Sequence, residues 1–282
     1  VTSALKILQL NTRVALLALR GKWLNAADVA RGYDLVAPTY NNAWQTRIRP
    51  ATDGFLARLP ADILGRVFDL GCGTGYSSRQ IAKRYPAAHI VGIDVSPGML
   101  VAARSSALPN TEFIESDMLA YVRQAPPSSV RMIVSTWAMG YSNPPLLIRH
   151  CAHALQPEGV FAFIVNYFDT LAPVFRAYQK CMLQFPERIQ RAAWPRFPKN
   201  WPRLHRQLSA CGFHVEWHAD GNEPIHPPDG PLLPWLRQTG ILAGFDAMLD
   251  LSGPAAETFE REIRTDTSPL FHHYAAAIAV KS

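Results

Sequence analysis

The chain has 282 residues, 48% of them hydrophobic and 18% charged, with a formal net charge of +6. That apolar share excludes a disordered chain, and no run of about 18 apolar residues is available for a membrane-spanning helix. The four cysteines, at 72, 151, 181 and 211, make no C-x-x-C pair, so no structural zinc or other metal is expected and scattered thiols point to a reducing cytoplasm.

The first 60 residues read as a helical cap. Ala4–Leu10 and Val14–Arg20 are rich in Ala and Leu, and Gly21 is a natural stop. The apolar core is too short for a secretory signal, and no A-x-A cleavage site follows. A helix docked on this chain, or on a partner protomer in a homodimer, is expected. Residues 26–60 read as helical around a turn at Pro38 and carry Tyr33 and Tyr40. The pattern then changes. Short apolar runs at Arg66–Leu70, His89–Asp94, Glu112–Glu115, Arg131–Ser135 and Gly159–Val165 alternate with helical stretches. This predicts an α/β fold with a doubly wound, mostly parallel sheet over 61–165. Beyond 166, Leu171–Leu183 and Leu204–Cys211 read as helices and Gly212–Trp217 as a strand. A loop is expected over 220–231, then helices over Leu232–Leu251 and Ala255–Arg264, and a closing strand over Phe271–Val280. The segment 186–202 holds Trp194, Pro195, Phe197 and Trp201, too aromatic for a linker. The expected organisation is a cap (1–60), a binding core (61–165) and a half that completes the sheet (166–282), with substrate lids over 167–202 and 220–268.

The strongest chemical signal is Asp69-Leu70-Gly71-Cys72-Gly73-Thr74-Gly75, between a strand and a helix. Glycines there let backbone approach a ligand at the carboxyl edge of the sheet. The form is G-x-G-x-G, whereas dinucleotide sites use G-x-G-x-x-G. Asp94 ends the second strand, where a carboxylate can accept both hydroxyls of a ribose. Asp117 follows the third, where it can accept from an adenine amine, and Met99 and Met118 are placed to pack on the ring. The basic balance, 22 Arg and 6 Lys, contains no dense run and reads as solvated surface. Asn143-Pro144-Pro145 lies too far beyond Ser135, and ends in Leu146, to match an amino-group nucleic-acid methylation motif. No nucleic-acid partner is expected.

Asp69–Gly75, Gly92–Leu100, Glu115–Met118 and Leu155–Val160 resemble the class I S-adenosylmethionine-dependent methyltransferases, small-molecule branch, over residues 30–165 with a weaker continuation to 282. The resemblance implies a Rossmann-like sheet of seven strands with the last antiparallel, and S-adenosyl-L-methionine as cofactor. Position by position it implies Gly71, Gly73 and Gly75 around the methionine part, with Asp69 and Cys72 also counted as cofactor-binding. Asp94 and Val95 would stand at the ribose, and Met99, Asp117 and Met118 at the adenine. Ser135 would lie beside the methionine moiety, with Tyr33 and Tyr40 capping the site. Arg131 and Glu158 depart from the family pattern, where an acid and a glycine are common. Trp235–Leu242 is similar to the C-terminal part of the trans-aconitate and malonyl-carrier-protein carboxyl methyltransferases.

A sulfonium favours aromatic walls, for which Tyr33, Tyr40 and Trp137 are available. A carboxylate acceptor needs only Arg or Tyr to hold it, whereas a phenol or carbon acid needs a base. By analogy Met139, Tyr141, Asn166, Tyr167, Trp235 and Arg237 face the acceptor. Tyr33, Tyr141, Tyr167 and Arg237 are the catalytic candidates, with Arg237 as anion clamp. His272 and His273 open the closing strand, and alternation turns one to solvent. The expected activity is methyl transfer to an oxygen, carboxylate or hydroxyl, of a small metabolite or carrier-bound acid. The alternatives are C- or N-methylation of a small molecule, methylation of nucleic acid, and cofactor binding without methyl transfer.

Overall fold

The computed structural model describes residues 3–193 and 196–282, and the side chains of 3 and 44–46 are not described. Trp194 and Pro195, expected in a lid, lie outside the described residues.

Apolar runs followed by amphipathic helices can bury both faces of a sheet only if each helix returns the chain to the same edge. The chain does this four times, between the successive strands β1 (Gly65–Leu70), β2 (Ala88–Asp94), β3 (Thr111–Glu115), β4 (Val130–Thr136) and β5 (Leu155–Asn166). With β6 (Phe213–Pro224) and β7 (Phe271–Lys281) they form one seven-stranded sheet in the order β3-β2-β1-β4-β5-β7-β6. β7 runs antiparallel to both neighbours. The direction of winding reverses between β1 and β4, the place where open α/β sheets leave a crevice at their carboxyl edge.

The helices are α1 (Ser3–Leu19), α2 (Ala26–Tyr40), α3 (Thr46–Leu56), α4 (Tyr76–Arg84), α5 (Pro97–Arg104), α6 (Met118–Gln124), α7 (Pro144–Ala154), α8 (Ala172–Gln184), α9 (Trp201–Ala210), α10 (Leu232–Gln238) and α11 (Pro254–Thr265). One sheet face packs Phe68, Ile133 and Phe161 against Val122 of α6, Leu147 of α7 and Leu204 of α9. The other packs Val67, Ile90 and Met132 against Phe55 of α3 and Ile81 of α4. A third core joins Leu17 of α1, Tyr178 of α8, Leu236 of α10 and Phe259 of α11. α1 is therefore docked on its own chain, and Arg13 donates to the Ile189 carbonyl through Nε (3.0 Å) and Nη2 (2.7 Å). No helix among the described residues is long and apolar enough to cross a membrane.

The structure corrects three sequence expectations. Pro38 does not turn the chain; it lies inside α2, which opens on a capping box between Asn25 and Asp28 and continues as a π-helical stretch over Asn41–Gln45. β6 does not stop at Trp217, because residues from Trp217 to Pro224 keep pairing with β7 and occupy the start of the expected loop. No long helix covers Leu232–Leu251: α10 ends at Gln238, and Gly240 and Gly244 take φ of 75° and 87°, values that break a helix. Asn143 caps α7 with Pro144 in its first turn, so the Asn-Pro-Pro run is a helix start.

Candidate active site

A cavity opens at the carboxyl edge, where β1, β2, β4, β5 and β7 approach α2 and the 240–245 turn. With its open mouth it measures about 1110 Å³.

One end is built almost wholly from backbone at strand termini. Gly71 has φ 75°, and a Cβ there would lie 2.2 Å from Ala138 Cβ and 3.2 Å from Met118 Cε. The Gly71 and Cys72 amides both donate to the Ile93 carbonyl, at 2.8 and 3.0 Å, which locks the β1 loop to the end of β2. Asp94 is oriented from the same loop: its Oδ2 accepts from the Gly73 amide (2.8 Å) and its Oδ1 from the Ser96 amide (2.9 Å). Burial raises the Asp94 carboxyl, while backbone donors from Ser96, Gly73 and Val95 oppose the rise. Two carboxylate oxygens offer about four acceptor positions, so accepting sites remain on the cavity side. Val95, Met99, Asp117 and Met118 complete this end, and Asp117 also caps α6 by accepting from the Ala120 amide (2.8 Å). Tyr33 and Tyr40 cover it from α2, with ring centroids 6.1 Å apart.

The other end is a chamber of side chains. Tyr141 stands edge-on to Tyr33 (5.8 Å) and against Phe197 (6.2 Å) and Phe245 (5.9 Å), and Phe175 meets Phe245 at 5.3 Å. Burial raises the phenols of Tyr33 and Tyr141, so both stay protonated. Trp137, at the β4 terminus, takes φ 66°, a region L-residues rarely adopt. It is held there by its amide on the Ile164 carbonyl (2.8 Å) and its indole N–H on Thr52 Oγ1 (2.9 Å). His272 lines the chamber beside Trp137, with ring centroids 5.7 Å apart and its Nδ1 3.3 Å from Thr170 Oγ1. Burial pushes the His272 imidazole down to about 4, so it is neutral at pH 7. Asn166, at the end of β5, is 7% exposed, and its Oδ1 has no hydrogen-bond partner among the described residues. No Lys or Arg is among the described residues lining the cavity.

Of the residues singled out from sequence, Tyr33, Tyr40, Gly71, Gly73, Asp94, Val95, Met99, Asp117, Met118, Trp137, Tyr141 and Asn166 line this cavity. Others stand behind the wall. Asp69 is fully buried and takes the Ser78 hydroxyl on Oδ2 (2.6 Å), which pins α4 to β1; burial pushes its carboxyl up to about 6. Cys72 packs among Leu100, Ala103 and Phe113. Gly75, at φ 77°, is the N-cap of α4. Ser135 donates to the Leu70 carbonyl (2.9 Å). Met139 belongs to the sheet core. With Met139, three more acceptor-side expectations do not hold. Tyr167 is turned away, donating to Asp220 Oδ1 (2.5 Å) under β6. Arg237 is outside the cavity, its Nη2 on the Leu251 carbonyl (3.1 Å) and its Nε 4.0 Å from Asp246. Trp235 lines a separate apolar depression with Ile225 and Leu270. Because α10 stops at Gln238, the turn at 240–245 enters the cavity and Arg237 stays outside.

Thr170, Phe175 and Phe245 were not singled out from sequence, Phe197 stood only within an expected lid, and His272 was left undecided between two strand faces. The signal for His272 was the pairing of β7 with β5, which sets Tyr274 opposite Asn166 and brings the start of β7 to the carboxyl edge. Sequence reading also missed Asp34, whose Oδ1 accepts from Ser96 Oγ (2.6 Å) and the Gly98 amide (2.8 Å) and so ties α2 to the start of α5.

A methyltransferase-domain family model matches residues 67–159. A trans-aconitate 2-methyltransferase of Azoarcus sp. (strain BH72) is 31% identical over 215 residues, covering 74% of this chain and 81% of that protein. Another, of Paracidovorax citrulli (strain AAC00-1), is 38% identical over 266 residues, covering 79% and 91%. The chain belongs to the class I S-adenosylmethionine-dependent methyltransferases. Its cofactor is S-adenosylmethionine, and this methyltransferase acts on a small molecule. Among solved structures the cyclase SpnF superposes with a TM-score of 0.59 at 19% identity, covering 92% of this methyltransferase and 97% of that chain, a likeness of fold.

Proposed function

We propose that this methyltransferase transfers the methyl group to an oxygen of a small acceptor held in the aromatic chamber. The observation that carries the reading is the continuity of one cavity from the Gly71–Asp94 end to the chamber. The relatives' name, trans-aconitate 2-methyltransferase, points to a carboxylate acceptor in those proteins and so supports oxygen as the acceptor atom. When bound, the cofactor supplies a sulfonium methyl that passes to oxygen and leaves a neutral thioether.

The residues on the cavity surface fit that cofactor. Asp94, rigidly held by Gly73 and Ser96, has accepting positions for the ribose hydroxyls. Asp117 would accept from the adenine amine, with Met99 and Met118 on the ring. Gly71 and Gly73 leave the close approach that the methionine part needs, since a Cβ on Gly71 would fill it. Asp69, Gly75 and Ser135 hold that loop rather than touch the ligand. Tyr33, Tyr40 and Trp137 present ring faces and edges to a cation and exclude water. Tyr33 and Tyr141, both neutral, orient the acceptor. Holding the two reactants in one cavity accounts for a large share of the rate, because alignment replaces a bimolecular encounter.

The test is direct. Purified protein incubated with methyl-labelled cofactor and a small-molecule extract should yield labelled product that alkali or an O-demethylating reagent releases. Label fixed on carbon or nitrogen would overturn the choice of oxygen. Failure of adenosylhomocysteine to bind in calorimetry would overturn the placement of the cofactor.

A further inference from the structure

We propose that the acceptor is an uncharged, largely apolar planar molecule that presents a hydroxyl to Asn166, and that polycarboxylates are excluded from the chamber. The proposal rests on the methyl-transfer reading above and narrows its acceptor.

Three observations converge. The first is charge. The described residues lining the cavity include Asp94 and Asp117 and no Lys or Arg. A carboxylate entering a desolvated chamber needs a paired charge or several donors, and each unpaired one costs several kcal/mol on the order of a buried ion. The one arginine that sequence offered as a clamp, Arg237, is engaged outside with Leu251 and Asp246. His272 is buried and neutral, so it brings no positive charge at pH 7. A single carboxylate could be balanced by the cofactor's cation; three could not.

The second is the polarity of the hydrogen bond on offer. Asn166 Oδ1 is an acceptor, buried, and without a partner among the described residues. A buried acceptor left unmade costs about 1–3 kcal/mol, so a ligand that donates to it gains that energy. A hydroxyl can donate; an ionised carboxylate has nothing to donate.

The third is shape. Tyr141, Phe175, Phe197 and Phe245 form a connected aromatic cluster on one side, with Trp137 beside His272 on another. Rings at these separations favour a flat apolar guest, whose area they bury at roughly 25 cal/mol per Å². Methylation then replaces the O–H of that guest with O–CH3. The oxygen supplies the electron pair of the new bond, the pair of the broken S–CH3 bond stays on sulfur, and the hydroxyl proton is released to water.

The test uses two probes on the protein loaded with adenosylhomocysteine: 2-naphthol, flat and neutral at pH 7, and trans-aconitate, a tricarboxylate. Calorimetry or tryptophan quenching should show 2-naphthol binding at least ~30-fold more tightly, and methyl-labelled cofactor should convert it with the larger kcat/KM. Asn166→Leu should raise the KM for 2-naphthol about tenfold, the value of one hydrogen bond near 1.4 kcal/mol, with adenosylhomocysteine affinity unchanged and partial rescue by Asn166→Gln. Tighter binding or faster conversion of trans-aconitate overturns the proposal and leaves methyl transfer standing. So does a loaded protein that binds neither probe. A protein that takes up no adenosylhomocysteine overturns the methyl-transfer reading itself.

Discussion

The two ends of the cavity are built on different plans. The cofactor end comes from three consecutive strand termini, and its decisive contacts are backbone: Gly71 and Cys72 on Ile93, Gly73 and Ser96 on Asp94. The acceptor end is drawn from α2, the β4 and β5 termini, α8, Phe197, the 240–245 turn and the start of β7. The first plan constrains residue type tightly, because only glycine tolerates the φ and the close approach at position 71. The second constrains only the volume and polarity of the chamber, and many sequences can supply those. Acceptor specificity can therefore diverge among relatives that share the cofactor end.

Four experiments put that contrast to the test. The largest effect is expected at Asp94. Asp94→Ala removes the ribose acceptor and two loop contacts, and adenosylhomocysteine should bind ~100-fold more weakly, about 2.7 kcal/mol. Unchanged affinity in calorimetry would mean that the cofactor does not sit on this carboxylate.

The next tests the buried imidazole at the acceptor end. The folded state holds His272 down at about 4, below the 6.5 of a free imidazole. As pH falls through 6.5 the unfolded chain takes up the proton first, so the native state loses stability progressively toward pH 4. The contribution is complete above pH 6.5. His272→Phe has no such group. Relative to its own value at pH 7, the natural protein should lose about 2 kcal/mol more than the variant at pH 5. Urea unfolding at the two pH values measures it, and parallel behaviour would show that His272 titrates freely. The buried Asp69, raised to about 6, has the opposite sign, losing stability as pH rises through that value; it is present in both proteins and cancels.

Gly140→Ala probes the chamber alone. A Cβ there would lie 2.3 Å from the Phe197 ring, so the ring must move away from Tyr141 and Phe245. Acceptor kcat/KM should fall about tenfold, since small displacements of positioning groups cost much of the alignment. Cofactor affinity should change less than about twofold; an equal loss in both would show the two ends to be one coupled unit. The smallest effect is expected for Arg237→Ala. With the guanidinium outside the cavity and half exposed, activity should change less than about twofold and stability by less than about 0.5 kcal/mol. A large rise in acceptor KM would return Arg237 to the role of anion clamp.

The same contrast governs what could be read in advance. The order of strands and the positions of Gly71, Asp94 and Asp117 follow from local apolar periodicity and from spacing along the chain. Tyr167 and Arg237 were misjudged for reasons that no local pattern holds. Tyr167 sits one residue past β5, but β6 extends to Pro224 and brings Asp220 within reach of its hydroxyl. Arg237 lies in a segment that reads as one long helix, yet Gly240 and Gly244 turn the chain so that Ile241 and Phe245 enter the cavity instead. Alternation could not choose between His272 and His273, because it divides a strand into two faces and does not say which face meets a cavity.

By itself the sequence determined the doubly wound sheet, the glycine loop and the carboxylates beyond the next two strands, because each depends on residues near one another in the chain. Tertiary structure decided the chamber: which aromatic rings converge, that Asn166 and His272 share its wall, and that no Lys or Arg does among the described residues. Those properties depend on how α2, α8, the 240–245 turn and β7 pack against one another, and packing is settled by the summed burial of distant surfaces rather than by any short run of residues.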